Sequence, residues 1–250
     1  MPKALHLLFD LGKTICYPGM QSALKDPGAL RDIGQILAEK GSHFGRLELL
    51  RAFLKVYGAY AQEAEATNRE WQAVRLARCV LDNMSISSDT AVLDDLAKSI
   101  IEVYSARVAA KSRLYEGAGE TLRYFREQGY QLAIISDGVY DRSYTERLLQ
   151  SLGIASLFSR VVLSSEVGWR KPDPRIFAEA CQELKVTPGE CLFVGDKEKA
   201  DIIGARNYGM FTIKFQPQGL FLKSSAADFR IRKWSELKQV VESIAVEARI

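Results

Sequence analysis

What most restricts this chain is a short strand that stops on an acid. An apolar run from Ala4 to Phe9 is followed at once by Asp10, Leu11, Gly12, Lys13 and Thr14. A run that short suits a strand better than a helix, and Gly12 ends any continuation. Buried in a parallel sheet, such a strand presents Asp10 just past its carboxyl end, where open α/β sheets bind ligands. An acid placed there is costly unless it is paired, metal-bound or chemically employed. Taken alone, Asp10 reads equally well as a solvated turn residue capping the next segment. Three later stretches change that balance.

After Thr14 the segment from Cys16 to Lys25 reads as irregular, and from about Ala29 to Ala110 the pattern turns helical. Leu30, Ile33 and Leu37 share one face; Leu47, Leu50, Leu54, Tyr57 and Ala61 continue at three-to-four spacing. Thr67-Asn68-Arg69-Glu70 reads as a capping box opening a helix with Trp71, Val74, Ala77 and Leu81. Ser88 or Asp89 is placed to cap the next helix, carrying Val92, Leu96, Ile100, Val103 and Val108. From Glu116 the rhythm changes to short apolar runs alternating with helices. Gln131–Ile135, Val161–Leu163, Cys191–Val194 and Phe211–Phe215 read as strands, Asp228–Ile231 as a further one, and Trp234–Val246 as a closing helix. Strands alternating with helices make a doubly wound parallel sheet. The expected fold is therefore α/β: a Rossmann-like core of residues 1–16 and 114–250, with an all-α cap domain, residues 17–113, inserted after the first strand. A cap inserted there sits over the carboxyl edge of the sheet and can act as a lid.

Four strand ends bring polar groups to that edge: Asp10; Ser136-Asp137-Gly138; the Gly168–Pro174 loop with Lys171; and Gly195-Asp196 with Asp201. With only two histidines, His6 and His43, the chemistry leans on carboxylates and lysine. His6, inside the apolar run, reads as a core or strand-edge residue. Three carboxylates without His or Cys suit a hard, oxygen-seeking cation such as Mg²⁺. Lys171, the Ser136 hydroxyl and the amides of Asp137 and Gly138 suit an anion. A cation beside an anion cradle suggests phosphate, with a carboxylate as nucleophile. Asp196 alone reads as a helix N-cap and Asp201 as a first-turn acid; in register with Asp10 and Lys171 they read as a site. Asp173, between two prolines, reads as a helix-start residue outside it. Trp169 reads either as exposed at the cleft mouth or as packed under the cap, and Tyr17 and Lys25 either as substrate contacts or as linker.

These stretches together resemble the haloacid dehalogenase-like superfamily: Phe9-Asp10-Leu11-Gly12-Lys13-Thr14, Ile134-Ile135-Ser136-Asp137-Gly138, Lys171-Pro172-Asp173-Pro174, and Val194-Gly195-Asp196 with Asp201-Ile202 and Gly204-Ala205. Each motif is weak singly; four in order are strong, and the resemblance spans the whole chain. It implies that Asp10 is the nucleophile, that Ser136 binds the transferred phosphoryl group, and that Lys171 steadies both. It implies Mg²⁺ bound by Asp10, Asp196 and the Gly12 carbonyl, with Asp201 binding the ion or its water shell. The activity implied is Mg²⁺-dependent hydrolysis of a small phosphorylated metabolite through an aspartyl-phosphate.

One departure matters. Phosphatases of this family usually carry a second Asp two residues after the nucleophile, which protonates the leaving group and later activates water. Here that position is Gly12, followed by Lys13 where Gly is common. General acid–base help is typically worth about 10² to 10⁴ in rate. The substrate then has a good leaving group, or a neighbour such as Lys13 supplies the proton, or the protein is a catalytically weak phospho-ligand sensor or binding module. The dehalogenase branch also lacks the second Asp, but it is metal-independent and usually lacks the paired acids kept here as Asp196 and Asp201.

The net charge of +3 argues against a nucleic-acid or membrane-surface partner. No uncharged apolar stretch approaches membrane-spanning length. Four cysteines without metal or disulfide spacing suit a reduced, cytoplasmic protein. Oligomeric state has no signature in this sequence.

Overall fold

A computed structural model describes residues 6–17, 27–86, 89–217 and 224–247. At its centre lies β1 (His6–Phe9), hydrogen-bonded in parallel to β4 (Leu132–Ser136) on one side and β6 (Cys191–Gly195) on the other. Beyond them lie β5 (Arg160–Leu163), then β7 (Phe211–Phe215) and β8 (Phe229–Ile231), giving the order β5-β4-β1-β6-β7-β8, all parallel. The chain builds outward from β1 in one direction and then in the other. The crevice between the ends of β1 and β6 is thus the switch point where such sheets take ligands.

Both faces of this sheet are covered, so its central strands are apolar throughout. Leu7, Phe9, Ile134 and Val194 pack on one face, with α5 (Ala118–Glu127) and α10 (Trp234–Glu247). Leu8, Ala133, Ile135 and Phe193 face the other way, toward α8 (Pro174–Leu184) and α9 (Gly204–Asn207). On the crossover between β4 and β5 lies α6 (Arg142–Ser151), and directly after β5 a single turn, α7 (Ser164–Val167). No helix among the described residues is long and apolar enough to cross a membrane.

Between β1 and β4 the chain leaves through β2 (Cys16–Tyr17) and returns through β3 (Arg113–Leu114), which pair antiparallel as a ribbon. The sequence expectation of an irregular segment starting at Cys16 is corrected at these two residues: a two-residue strand has no readable period. Lys25 lies outside the described residues. The excursion carries α1 (Pro27–Glu39), α2 (Arg46–Thr67), α3 (Ala73–Asn83) and α4 (Thr90–Lys111). Leu30, Ile33 and Leu37 are buried as the spacing predicts. On α2 the buried stripe is Leu49, Phe53, Val56 and Tyr60, while Leu47 and Leu54 are exposed. Two apolar stripes interleave on that helix, and the bulkier one turns inward. Asp89 caps α4 by accepting from Ala91 N at 2.8 Å, a contact worth about 1 kcal/mol; Ser88 lies outside the described residues. The same helix buries Leu93 and Leu96 and leaves Val92 exposed. The capping box expected at Thr67–Glu70 is not formed: Thr67 ends α2, Asn68 takes the left-handed conformation behind it, and Glu70 turns into the protein.

Candidate active site

Asp10 follows β1 without a break, its N–H donating to Val194 O at 2.9 Å as the ladder's next rung. Its carboxylate is thereby held at the switch point and is buried, 4% exposed. One oxygen, Oδ1, lies 2.7 Å from Lys171 Nζ; the other, Oδ2, accepts from Thr14 Oγ1 at 3.1 Å. The Thr14 carbonyl accepts from Trp234 Nε1 at 3.1 Å, so α10 braces the turn from beneath. Thr14 has no role assigned by the sequence motifs; its four-residue spacing from Asp10 across a tight turn was the available signal. Lys13 in that turn has φ of 66°, a left-handed conformation that costs a non-glycine residue about 1–2 kcal/mol.

Lys171 arrives from the loop between α7 and α8. Its ammonium donates to Asp10 Oδ1 and to the Ile135 carbonyl at 2.9 Å, and forms an ion pair with Asp201 Oδ1 at 2.8 Å. Burial works against its charge, but Asp10, Asp201 and Asp137 outweigh that and hold it firmly protonated. Its backbone N–H donates to Asp137 Oδ1 at 2.9 Å, tying this loop to the end of β4. Asp173, as expected, only caps α8, accepting from Arg175 N at 3.0 Å.

The third group comes from β6 and the π-helical turn behind it, Glu198–Ile203. Asp201 is fully buried; its Oδ2 accepts from Lys197 N at 2.8 Å. Gly195 makes this approach feasible, since a Cβ on it would lie 2.4 Å from Asp201 Cβ. Asp196 carries a buried oxygen, Oδ1, with no hydrogen-bond partner. Burial first, then the Asp10 and Asp201 carboxylates, push its pKa up to about 7. Burial likewise raises that of Asp10 against the pull of Lys171. Oxygens of Asp10, Asp196 and Asp201 all lie within 4.8 Å of one another. Three carboxylates, two of them with a buried oxygen that accepts no hydrogen bond (Asp196 Oδ1 and Asp201 Oδ1), and more like charge than one ammonium can match: this fits Mg²⁺.

Ser136, Asp137 and Gly138 border the same space at the end of β4. The Gly138 N–H donates to Ser164 Oγ at 2.9 Å, so it is engaged here by protein rather than turned to an anion. Asp137 carries a second, partnerless oxygen, Oδ2. Gly12 borders the space as well, and a Cβ built on it would meet no atom within 4 Å.

From this edge a cavity of about 170 Å³ extends to the helical segment. Its far wall is Phe53, Tyr57, Leu76, Tyr104, Tyr140 and Tyr144, among others. The segment is tied down beside it. Glu70 N donates to Gly168 O at 3.1 Å, Arg170 N to Asn68 O at 2.9 Å and Ala73 N to Val139 O at 2.6 Å. The buried Glu70 carboxylate accepts from Ser164 Oγ at 2.8 Å, Trp71 N at 3.1 Å and the Tyr60 hydroxyl. Trp169 is sandwiched between the guanidinium groups of Arg69 and Arg175, so it packs at the junction. Tyr17 stays exposed and lies against Tyr115, outside the cavity wall.

Residues 6–209 match the profile of haloacid dehalogenase-like hydrolases. A glyceraldehyde 3-phosphate phosphatase of Methanopyrus kandleri is 34% identical over 60% of this chain and 66% of its own length. The corresponding match covers only 53% of the Pyrococcus furiosus protein of the same name, so the chain spans between half and two thirds of these relatives. Haloacid dehalogenase-like hydrolase domain-containing protein 3 of Mus musculus is 31% identical over 72% of this chain and 73% of its own. Among solved structures, a 2-haloacid dehalogenase from Pseudomonas syringae pv. Tomato superposes with a TM-score of 0.73 at 25% identity, over 97% of this chain and all of the other.

Proposed function

The chain belongs to the haloacid dehalogenase-like hydrolase family, and from that premise we propose that it is a Mg²⁺-dependent phosphatase of a small phosphorylated metabolite. The observation that carries this reading is the buried trio Asp10, Asp196 and Asp201 around the Lys171 ammonium. The relatives named as glyceraldehyde 3-phosphate phosphatases and as a phosphoserine phosphatase support the reaction class.

In this reading a carboxylate oxygen of Asp10 attacks phosphorus and the bond to the leaving oxygen breaks, its electron pair departing with that oxygen. Water then attacks the aspartyl-phosphate, releasing phosphate and restoring the carboxylate. Thr14 and Lys171 hold the Asp10 carboxylate in one orientation, which lowers the entropic part of the barrier. Lys171 and the Ser136 hydroxyl balance charge on the phosphoryl oxygens. Asp10, Asp196 and the Gly12 carbonyl would hold Mg²⁺, with Asp201 in support, and the ion would supply further charge neutralisation there. Segment 17–113 serves as the cap that walls off the reacting groups from water.

Gly12 supports a second reading, a weak phospho-ligand sensor on the same fold. With the dehalogenase superposition, it also supports a metal-independent dehalogenase, against which the partnerless Asp196 oxygen weighs. The deciding assay is release of phosphate from an activated aryl phosphate with and without Mg²⁺. Metal-dependent turnover abolished by Asp10→Asn is expected. Metal-independent turnover, or full activity of that variant, overturns the phosphatase. No turnover across a broad ester panel, with a phosphate analogue still raising the melting temperature in Mg²⁺, establishes the sensor.

A further inference from the structure

We infer that the substrate is an aryl phosphate monoester, one aromatic ring seated among Tyr57, Tyr104, Tyr140 and Tyr144 with its phosphoryl group at Asp10. This rests on the phosphatase reading and narrows it.

The first observation is the distribution of charge around the cavity. The charged side chains that border it all come from loops: Asp10, Lys13, Asp137 and Lys197, and Arg170, whose guanidinium reaches Tyr60 Oη of α2. Lys13 and Lys197 are exposed, Arg170 lies by Tyr60, and Asp137 holds the Lys171 backbone. The wall supplied by α2, α3, α4 and α6 carries no charged residue; it is Phe, Tyr, Leu, Ile and Val. An amino-acid ester brings an ammonium for which this wall of α2, α3, α4 and α6 offers the cavity no carboxylate, which is disfavoured. A flat aromatic body meets it well. Tyr104 and Tyr140 stack at 6.1 Å with their planes 9° apart, and Tyr140 meets Tyr144 at 4.3 Å with a 32° tilt, so a further ring joins an existing aromatic cluster.

The second observation is volume. A dry protein cavity of about 150 Å³ is known to take up benzene. The cavity here, about 170 Å³ with its Asp10 end included, limits the body beside the phosphoryl group to no more than one ring.

The third is independent of the wall. Gly12 stands where a proton donor to the leaving group is usual, and the space a side chain there would fill is empty. A leaving group that departs as an anion needs no such donor. A phenolate does this far more readily than an alkoxide, because the ring shares the charge. As phosphorus bonds to Asp10, the phenolate leaves with the electron pair and takes its proton from solvent. The apolar wall and the missing acid therefore point to the same substrate class.

The test measures phosphate release by the full chain with Mg²⁺ from substituted phenyl phosphates, benzyl phosphate, acetyl phosphate, phosphoserine and glyceraldehyde 3-phosphate. Phenyl phosphates are expected to exceed benzyl phosphate at least a hundredfold in kcat/KM, which reports the step that expels the leaving group, with a steep dependence on phenol acidity. Gly12→Asp is expected to raise benzyl phosphate turnover by about 10² or more and so to narrow the ratio between phenyl and benzyl phosphate. Acetyl phosphate, activated but ringless, is expected to show a KM about tenfold higher or more. Phosphoserine or glyceraldehyde 3-phosphate matching phenyl phosphate in kcat/KM overturns the inference and leaves the phosphatase standing. Thermal shifts with phenylphosphonate and methylphosphonate separate the two claims. Selective stabilisation by the phenyl compound with no ester turned over keeps the aryl ligand and removes the phosphatase; equal stabilisation overturns the ring seat.

Discussion

Replacing Lys171 with Met isolates the electrostatics of the site. Met fills much of the same volume with an unbranched chain and carries no charge. The ammonium it removes lies 2.7 Å from Asp10 and 2.8 Å from Asp201, with its side chain 1% exposed. Asp201 is wholly buried and Asp10 nearly so, so water cannot take over as counter-charge. Removing one partner of a buried pair costs about 3–5 kcal/mol, a large part of the about 5–15 kcal/mol that holds a domain together. Asp10 and Asp201 raise the pKa of Lys171 over the opposing effect of burial. Its contribution is therefore complete below the unfolded value of about 10.4 and fades only at higher pH. Between pH 5 and 8 the ammonium is constant in the wild type, and any pH dependence of the difference belongs to the carboxylates. Asp10 already has a raised pKa; without the ammonium it rises further, and acid relieves the variant by protonating it. Urea unfolding in EDTA, followed by tryptophan fluorescence, should show a deficit of about 3–5 kcal/mol near pH 7.5 that narrows toward pH 5. Turnover should fall by about 10² or more. A variant as stable as wild type at pH 7.5, or a deficit unchanged by pH, would refute this reasoning.

Asp196→Asn should abolish the Mg²⁺-induced rise in melting temperature without destabilising the metal-free protein, because it removes a carboxylate whose oxygen has no partner. In the wild type the Asp196 pKa of about 7 lies above its unfolded value. The metal-free protein should then lose stability as pH rises from about 4 through 7, and the Mg²⁺ shift measured by calorimetry should be larger at pH 8 than at pH 5.5. Gly195→Ala should cost about 1–3 kcal/mol or more and most of the activity, since the new methyl collides with Asp201; circular dichroism melts and phosphate release check both. Glu70→Ala leaves Tyr60, Trp71 and Ser164 without an acceptor, and should cost about 3 kcal/mol with faster amide exchange at Gly168 and Arg170.

The core was readable because its period is unambiguous. The run ending at Phe9, the Pro174 helix start and the Phe211–Phe215 strand all stand where apolar spacing and proline chemistry put them. The four polar strand ends converge for the same reason: in a parallel sheet every carboxyl end shares one edge. The helical segment was readable in kind but not in rotation. On α2 two apolar stripes compete, and only the packing partners chose Phe53 and Tyr60 over Leu47 and Leu54. Thr67–Glu70 has the letters of a capping box, yet Glu70 finds three donors inside the protein, a pull from residues as distant as Ser164 that no local window contains. The aromatic wall was equally hidden, since Tyr57 reads as one more residue of a helical stripe and nothing local links it to Tyr104 or Tyr144 until their helices are brought together.

The tether beside the cavity has a bearing on timing. Gly168 and Arg170, which grip Glu70 and Asn68, lie within three residues of Lys171 on one short loop. Swinging the helices outward to admit a molecule must break those two rungs and pull Trp169 from between its arginines. The ammonium of Lys171 stands on that same loop, so any such opening would take two anchors from the backbone that presents it to Asp10.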